Sequence, residues 1–233
     1  MTFTVIARCE TTGQLGIGIA TYSLGVGGYC PLVKTGVGAL SSQAFADPRL
    51  RGPAMRLLEE GQPPASVLEA LKGLDRHIDY RQIGIVGAGG AAGTWTGGTA
   101  RPWAGHIVGD GYLAMGNVLA GAHVVEAIAG AFAASRTLEL HERLLRALEA
   151  GRDAGGQRST LGAHLPERSA ALIIHDREEY ALMDLRVDAH ETAVEELRRV
   201  RDAYRPYVEY YELRVKDPPH TPPQDAWRED RRS

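Results

Sequence analysis

Short runs rich in β-branched and apolar side chains, bounded by glycine, occupy residues 2–8, 15–22 and 36–43 and read as strands. A turn with Thr12-Gly13 separates the first two. The pattern then changes period. Helical spacing of apolar positions begins at 53–60, where Gly61 is a natural stop, and resumes over 64–74 with Val67, Leu68, Leu71 and Leu74 on one face. Strand-like runs return at 82–86, 91–97 and 112–115. A helix over 122–135 carries the stripe Val124, Val125, Ile128 and Phe132, and another over 138–150 is ended by Gly151. Two strands, 169–175 and 180–187, precede a last helix. It opens with Thr192 and Glu195 at capping-box spacing and turns Val194, Leu197, Val200 and Tyr204 inward.

Strands cluster into hairpins and helices come in pairs, so a regular βαβ alternation is absent. This order predicts an α+β fold, a layered sandwich of two mostly antiparallel sheets with helices on their outer faces. No linker-like composition interrupts the first two hundred residues, which predicts one domain over 1–216. From Asp217 onward, Pro218, Pro219, Pro222 and Pro223 amid polar residues predict a disordered tail over 217–233.

Composition narrows the function classes. The 233 residues carry a formal net charge of -3, so no basic field points to nucleic acid. Two cysteines, Cys9 and Cys30, are too few for a disulfide framework. No basic segment precedes an apolar one at the N-terminus, and the most apolar stretch, 124–134, is interrupted by Glu126 and too short to span a bilayer. A cytoplasmic protein without membrane or nucleic-acid partners is expected. The eight histidines show no metal-ligand spacing, and no metal or other cofactor is expected. Gly87-Ala88-Gly89-Gly90-Ala91-Ala92 follows a strand as a dinucleotide fingerprint would, but the next segment reads as a strand instead of a helix. A glycine hairpin turn is the expectation there.

The candidate chemistry sits at the start of the chain. Thr2 follows Met1 directly, and a small second side chain is what methionine-removing enzymes require. The mature chain then starts with a threonine at the end of a core strand. That places a hydroxyl and a free α-amine on one residue, a nucleophile and base for amide hydrolysis. Cys30, before Pro31, is an alternative thiol nucleophile, with a buried structural cysteine as its plain reading. Lys34 is a candidate for tuning the amine or touching substrate, or else a surface lysine. Asp184, Arg186 and Asp188 alternate along one strand and share a face, as a charge ladder at a sheet edge or subunit contact would.

Trp103-Ala104-Gly105-His106-Ile107-Val108-Gly109-Asp110-Gly111-Tyr112, continuing through Gly116-Asn117-Val118-Leu119-Ala120-Gly121, sets aromatic and polar side chains among glycines, as a pocket wall does. With the opening 2–8 it resembles the uncharacterised bacterial family DUF1028, placed by fold in the N-terminal nucleophile (Ntn) hydrolase superfamily. Further matches are Val37-Gly38-Ala39 with Gln43-Ala44-Phe45, Gln82-Ile83-Gly84-Ile85-Val86, Ser169-Ala170-Ala171-Leu172 and Asp184-Leu185-Arg186-Val187-Asp188. Together they run in order from Thr2 to about Tyr204.

The resemblance implies a four-layer αββα sandwich and a nucleophilic Thr2 acting on a small amide substrate. Asn117 is the first candidate to donate to the oxyanion, and His106, Trp103 and Gln43 are candidates to contact substrate. A fold that binds a small molecule or assembles without catalysis is the competing reading, and a homo-oligomer stays open. The chain departs from the family's usual Gly-Gly-Asp and Gln-Ser-Ala-Ala at Gly155-Gly156-Gln157 and Arg168-Ser169-Ala170-Ala171. An acidic and an amide side chain are thereby replaced, which leaves any substrate contact at those two positions open.

Overall fold

The computed structural model describes residues 1–229. In chain order the main elements begin with strands β1 (Thr2–Arg8) and β2 (Leu15–Thr21), a short helix α1 (Val26–Tyr29), and strands β3 (Pro31–Lys34) and β4 (Gly38–Ala44). Helices α2 (Arg51–Glu59) and α3 (Pro64–Leu74) follow, then strands β5 (Arg81–Gly87), β6 (Ala92–Thr96), β7 (Gly105–Gly109) and β8 (Tyr112–Asn117). Next come helices α4 (Ala122–Ala134) and α5 (Leu140–Asp153), the short strands β9 (Gln157–Arg158) and β10 (His164–Leu165), and strands β11 (Ser169–His175) and β12 (Met183–Val187). Helices α6 (Ala193–Tyr204), α7 (Val208–Lys216) and α8 (Gln224–Glu229) close the described chain.

The architecture is mixed α+β. One antiparallel sheet has six strands in the order β12-β11-β2-β1-β8-β7, a second has four in the order β3-β4-β5-β6, and β9 and β10 form a small pair. Alternation along β1 sends Thr2, Thr4 and Ile6 to one face and Phe3, Val5 and Ala7 to the other. Ile6, Ile17, Ile19, Leu113 and Met115 of the large sheet share an apolar cluster with Val33, Ala39 and Val86 of the small one. On the small sheet's other face, Leu40, Ile83 and Ile85 bury Met55 and Leu58 of α2 with Val67, Leu68 and Leu71 of α3. A Leu or Ile side chain fully buried in such a cluster contributes about 1.5–3 kcal/mol.

Several expectations are revised by packing. Gly151 does not end α5, which continues to Asp153. The residue is glycine because a Cβ there would come within 2.7 Å of Ile128 on α4 and 3.3 Å of Phe3 on β1. The stretch 105–109, read as a pocket wall, is strand β7, and β3 and α1 have no counterpart in the sequence reading. The Gly87–Ala91 segment is a hairpin turn, closed by Gly87 N–H to Ala91 O at 2.9 Å. Asp184 and Arg186 are exposed on the edge strand β12 and bond each other at 2.7 and 2.8 Å.

By its contacts the described chain falls into two compact units, Met1–Leu197 and a second from Arg198 onward. The expected disordered tail carries helical turns at Pro218–His220 and Gln224–Glu229, with Tyr210 against Trp227 at 5.4 Å between ring centres. Proline is compatible with the first turn of a helix, where its missing N–H is not needed. Residues 230–233 of that expectation lie outside the described residues. Among the described residues no helix is long and apolar enough to cross a membrane.

Candidate active site at the N-terminal threonine

Register brings the site together. Thr2 pairs with Asn117 on β8, and the pairing of Phe3 with Ala20 sets Thr21 of β2 beside Thr2. Residues opposite each other on antiparallel strands project to the same face, so Thr21, Thr2 and Asn117 form a row facing the small sheet. Thr2 is 5% exposed and Asn117 1%. The Thr2 and Thr21 hydroxyls lie 3.2 Å apart. The Met1 carbonyl accepts from Thr2 Oγ1 at 2.6 Å and also from Thr21 Oγ1. The Met1 amine donates to Asn117 Oδ1 at 2.6 Å.

Behind Thr2 a polar network fills the space between the sheets. Gln82 of β5 is fully buried. Its Nε2 donates to Gly116 O at 2.9 Å, Gly105 O at 3.1 Å and Thr96 Oγ1 at 3.0 Å. Two of those acceptors are backbone carbonyls, which never donate, so the amide's orientation is settled by chemistry. Gln82 Oε1 therefore accepts, from Asn117 Nδ2 at 3.1 Å and from Gln43 Nε2 at 2.9 Å. Gln43 Oε1 in turn accepts from Thr4 Oγ1 at 2.6 Å and Ser41 Oγ at 3.3 Å. Turning Asn117 over would set its carbonyl oxygen against Gln82 Oε1, acceptor against acceptor. Its carbonyl oxygen consequently faces the N-terminus.

This geometry gives Asn117 a different part from the oxyanion donor expected of it. It presents an acceptor that holds an amine, while its Nδ2 is engaged with Gln82. Thr21, which the sequence reading passed over, is the hydroxyl that meets a carbonyl oxygen. The signal was present: a hairpin turning at Thr12-Gly13 brings the start of the first strand beside the end of the second. Gln82 was legible only as the polar head of an apolar strand.

Burial pushes the Met1 amine down to about 6; Cys30 nearby opposes the shift and Arg101 adds to it. The Met1 amine is therefore largely neutral at pH 7. Burial also raises the Cys30 thiol to about 12. A protonated, buried thiol is a poor nucleophile, and the alternative of a Cys30 hydrolase is set aside.

The other expected site residues separate. Gln43 is fully buried, and the network engages both ends of its amide, so it positions Gln82 and does not present a surface to ligand. Lys34 pairs with Glu59 at the far end of β3. The register that sets Pro31 opposite Ser41 carries it away to Gly38. His106 meets Thr96 Oγ1 through Nδ1 at 2.9 Å, joining the outer end of the network, and burial lowers its pKa. Trp103 packs against Gly105, where a Cβ would fall 2.5 Å from its ring. Of the two family departures, Gln157 is buried, accepting from Tyr22 N–H at 3.0 Å and donating to Glu167 at 3.1 Å. A carboxylate in its place would face the Glu167 carboxylate. Arg168 lies over the Tyr22 ring at 5.3 Å.

Comparison with known proteins places the chain in context. The family model described as "Family of unknown function (DUF1028)" matches residues 2–197. A crystal structure of a Silicibacter pomeroyi protein matched to the same family is similar at 27% identity, with a TM-score of 0.79 over 87% of this chain and 88% of that one. The Anbu (ancestral beta-subunit) from Yersinia bercovieri is similar at 11% identity and TM-score 0.43, over 87% of this chain and 92% of that one. No curated protein matches.

Proposed function

The chain belongs to DUF1028, a family of unknown function, and we propose that it is an amide hydrolase whose nucleophile is the hydroxyl of an N-terminal threonine. The observation that carries this reading is the Met1 carbonyl, held between the Thr2 and Thr21 hydroxyls. A carbonyl already seated against the nucleophile marks where a substrate carbonyl is received. The helix pair α4 and α5, the six-stranded sheet, the four-stranded sheet and the pair α2 and α3 support reading the fold as the four-layer αββα sandwich of Ntn hydrolases.

Removal of Met1 frees Thr21 Oγ1, Thr2 Oγ1 and Asn117 Oδ1 together and creates an α-amine on Thr2. Thr2 Oγ1 then adds to the substrate's carbonyl carbon and its proton passes to that amine. The Thr21 hydroxyl donates to the oxyanion that forms, a bond that in comparable sites is worth about 3 kcal/mol of barrier. Collapse breaks the C–N bond, and the protonated amine gives its proton to the departing nitrogen. Water, deprotonated by the same amine, adds to the ester left on Thr2; the bond from the acyl carbon to Thr2 Oγ1 breaks, the acid leaves, and the amine returns its proton to Thr2 Oγ1. Asn117 Oδ1, which loses its present amine partner when Met1 leaves, is placed to receive the new amine, whose ordinary pKa of about 7.7–8.0 leaves a useful neutral fraction as base.

The bonds that hold Met1 favour one other reading, a binding protein that retains Met1 and performs no chemistry. Two measurements separate them. Intact mass of protein from cells with normal methionine processing is expected to show a chain beginning at Thr2. A β-lactone, opened by a nucleophilic hydroxyl to an ester, is expected to acylate that protein at Thr2, to acylate Thr2→Ser more slowly, and to leave Thr2→Ala unlabelled. Stoichiometric retention of Met1, or equal labelling of Thr2→Ala, refutes the hydrolase.

A further inference from the structure

At the opposite end of β1 from Thr2, about 20 Å away at 3.3 Å per residue, the chain opens a cavity. Its volume is about 430 Å³, within the range of small-molecule sites. Arg8, Arg136 and Arg143 line it, with Cys9, Glu10 and Asp110. Arg143 is only 8% exposed, yet its Nε has no hydrogen-bond partner among the described residues, and neither has the buried Nε of Arg8. Such an arrangement is costly, because a buried guanidinium gives up its hydration and needs an anion in return.

The side chain is held in place by shape. The Arg143 guanidinium lies over the Phe132 ring at 4.0 Å, and Phe132 packs on Tyr112 with centroids 4.8 Å apart. Stacking replaces part of the lost hydration of the guanidinium. Burial lowers the Arg143 pKa and the exposed Arg136 adds to that, while Cys9, Tyr112 and Glu10 oppose it. Arg8, Arg136 and Arg143 thus face one cavity with no carboxylate bonded to them among the described residues, although Glu10 shares the lining and lies close enough to favour the Arg143 charge.

We propose that this cavity binds a small phosphorylated compound, its phosphate on Arg8, Arg136 and Arg143 and its hydroxyl or amine donors on Glu10 and Asp110. Phosphate suits the cationic side better than a carboxylate does. It offers three acceptor oxygens to three guanidiniums, where a carboxylate offers two. The glycine-rich turn at 87–91 thereby gains a use that its resemblance to a dinucleotide fingerprint did not supply. Gly89 and Gly90 line this cavity, at the tip of a hairpin and with no helix N-terminus behind them.

The site carries its own reporter. Cys9 lines the cavity and is partly exposed; burial raises its thiol pKa, but bonds from Thr12 and Thr11 and the charge of Arg143 outweigh this and lower it. Cys30 is buried and stays protonated. Iodoacetamide should therefore alkylate Cys9 selectively. Glycerol 3-phosphate and inorganic phosphate, each titrated at constant ionic strength against chloride, are expected to slow that alkylation saturably. The expected slowing is fivefold or more, with the glycerol ester acting at the lower concentration.

Arg136→Gln, an exposed change that leaves the fold intact, should raise the half-effective concentration tenfold or more, and Arg143→Met should abolish protection. Protection that never saturates in the wild-type protein, or that survives unchanged in Arg136→Gln, overturns the proposal. If Arg143→Met fails to fold, the wild-type titration and Arg136→Gln still decide it.

Discussion

Gln82→Glu tests the network on which the active-site geometry rests. The new side chain has nearly the same shape but exchanges an NH2 for an oxygen beneath the carbonyls of Gly116 and Gly105. When neutral it keeps one O–H donor for the three acceptors Nε2 now serves, so a buried carbonyl loses its donor at a cost of about 1–3 kcal/mol. When ionised it has none. Buried glutamates without a cation have been found with pKa values of roughly 8–9, against about 4.3 when unfolded. A folded-state pKa raised in this way means the variant binds more protons folded than unfolded. Its stability is highest below about pH 4 and falls by about 1.36 kcal/mol per unit until the folded pKa is passed.

Relative to wild type the deficit should widen by about 4 kcal/mol between pH 5 and pH 8, three units of titration at that slope. The assay is urea denaturation of both proteins at pH 5, 6.5 and 8, with Gln82→Met as the uncharged control. All other titrating groups are shared and cancel. A variant unfolded at pH 8 that refolds on acidification meets the expectation equally. A deficit in Gln82→Glu that does not change with pH, or that matches Gln82→Met at every pH, would show that the amide does not point at those carbonyls. The inferred direction of Asn117 would fall with it.

Two further changes probe the reacting groups. Asn117→Asp sets a carboxylate beside the N-terminal amine and should raise the amine's pKa, so the rising limb of the Thr2 acylation rate against pH moves up by one unit or more; an unmoved limb removes Asn117 from the amine. Thr21→Val keeps the shape and removes the hydroxyl, and should lower the acylation rate by about a hundredfold while the melting temperature moves by only a few degrees. A stable Thr21→Val protein that reacts at the wild-type rate removes Thr21 from the oxyanion.

Local pattern determined most of the elements. The period-2 runs at Thr2–Arg8 and Leu15–Thr21, and the apolar stripes of α3 and α4, are decided by neighbours a few residues apart, and they stand where their side chains place them. The opening Met1-Thr2 marked the candidate nucleophile for the same reason, since its chemistry belongs to one residue. Family membership was legible too, because it rests on motifs in fixed order.

What depends on distant pairing was not legible. Gly151 looks like a helix stop in isolation, and only Ile128 and Phe3 packing against it explain a glycine inside α5. Lys34 and Gln43 stood as equal candidates until the register of β3 on β4 sent one to Glu59 and the other under Thr4. The direction of the Asn117 amide required Gln82, 35 positions earlier, and two carbonyls that orient it. The cationic cavity joins Arg8 of β1 to Arg143 of α5, and nothing local to either announces the other. Hydrogen-bond direction and the pairing of charges are properties of side chains in contact, and in this protein those contacts are made between the sheets and across their ends, by residues that folding alone brings together.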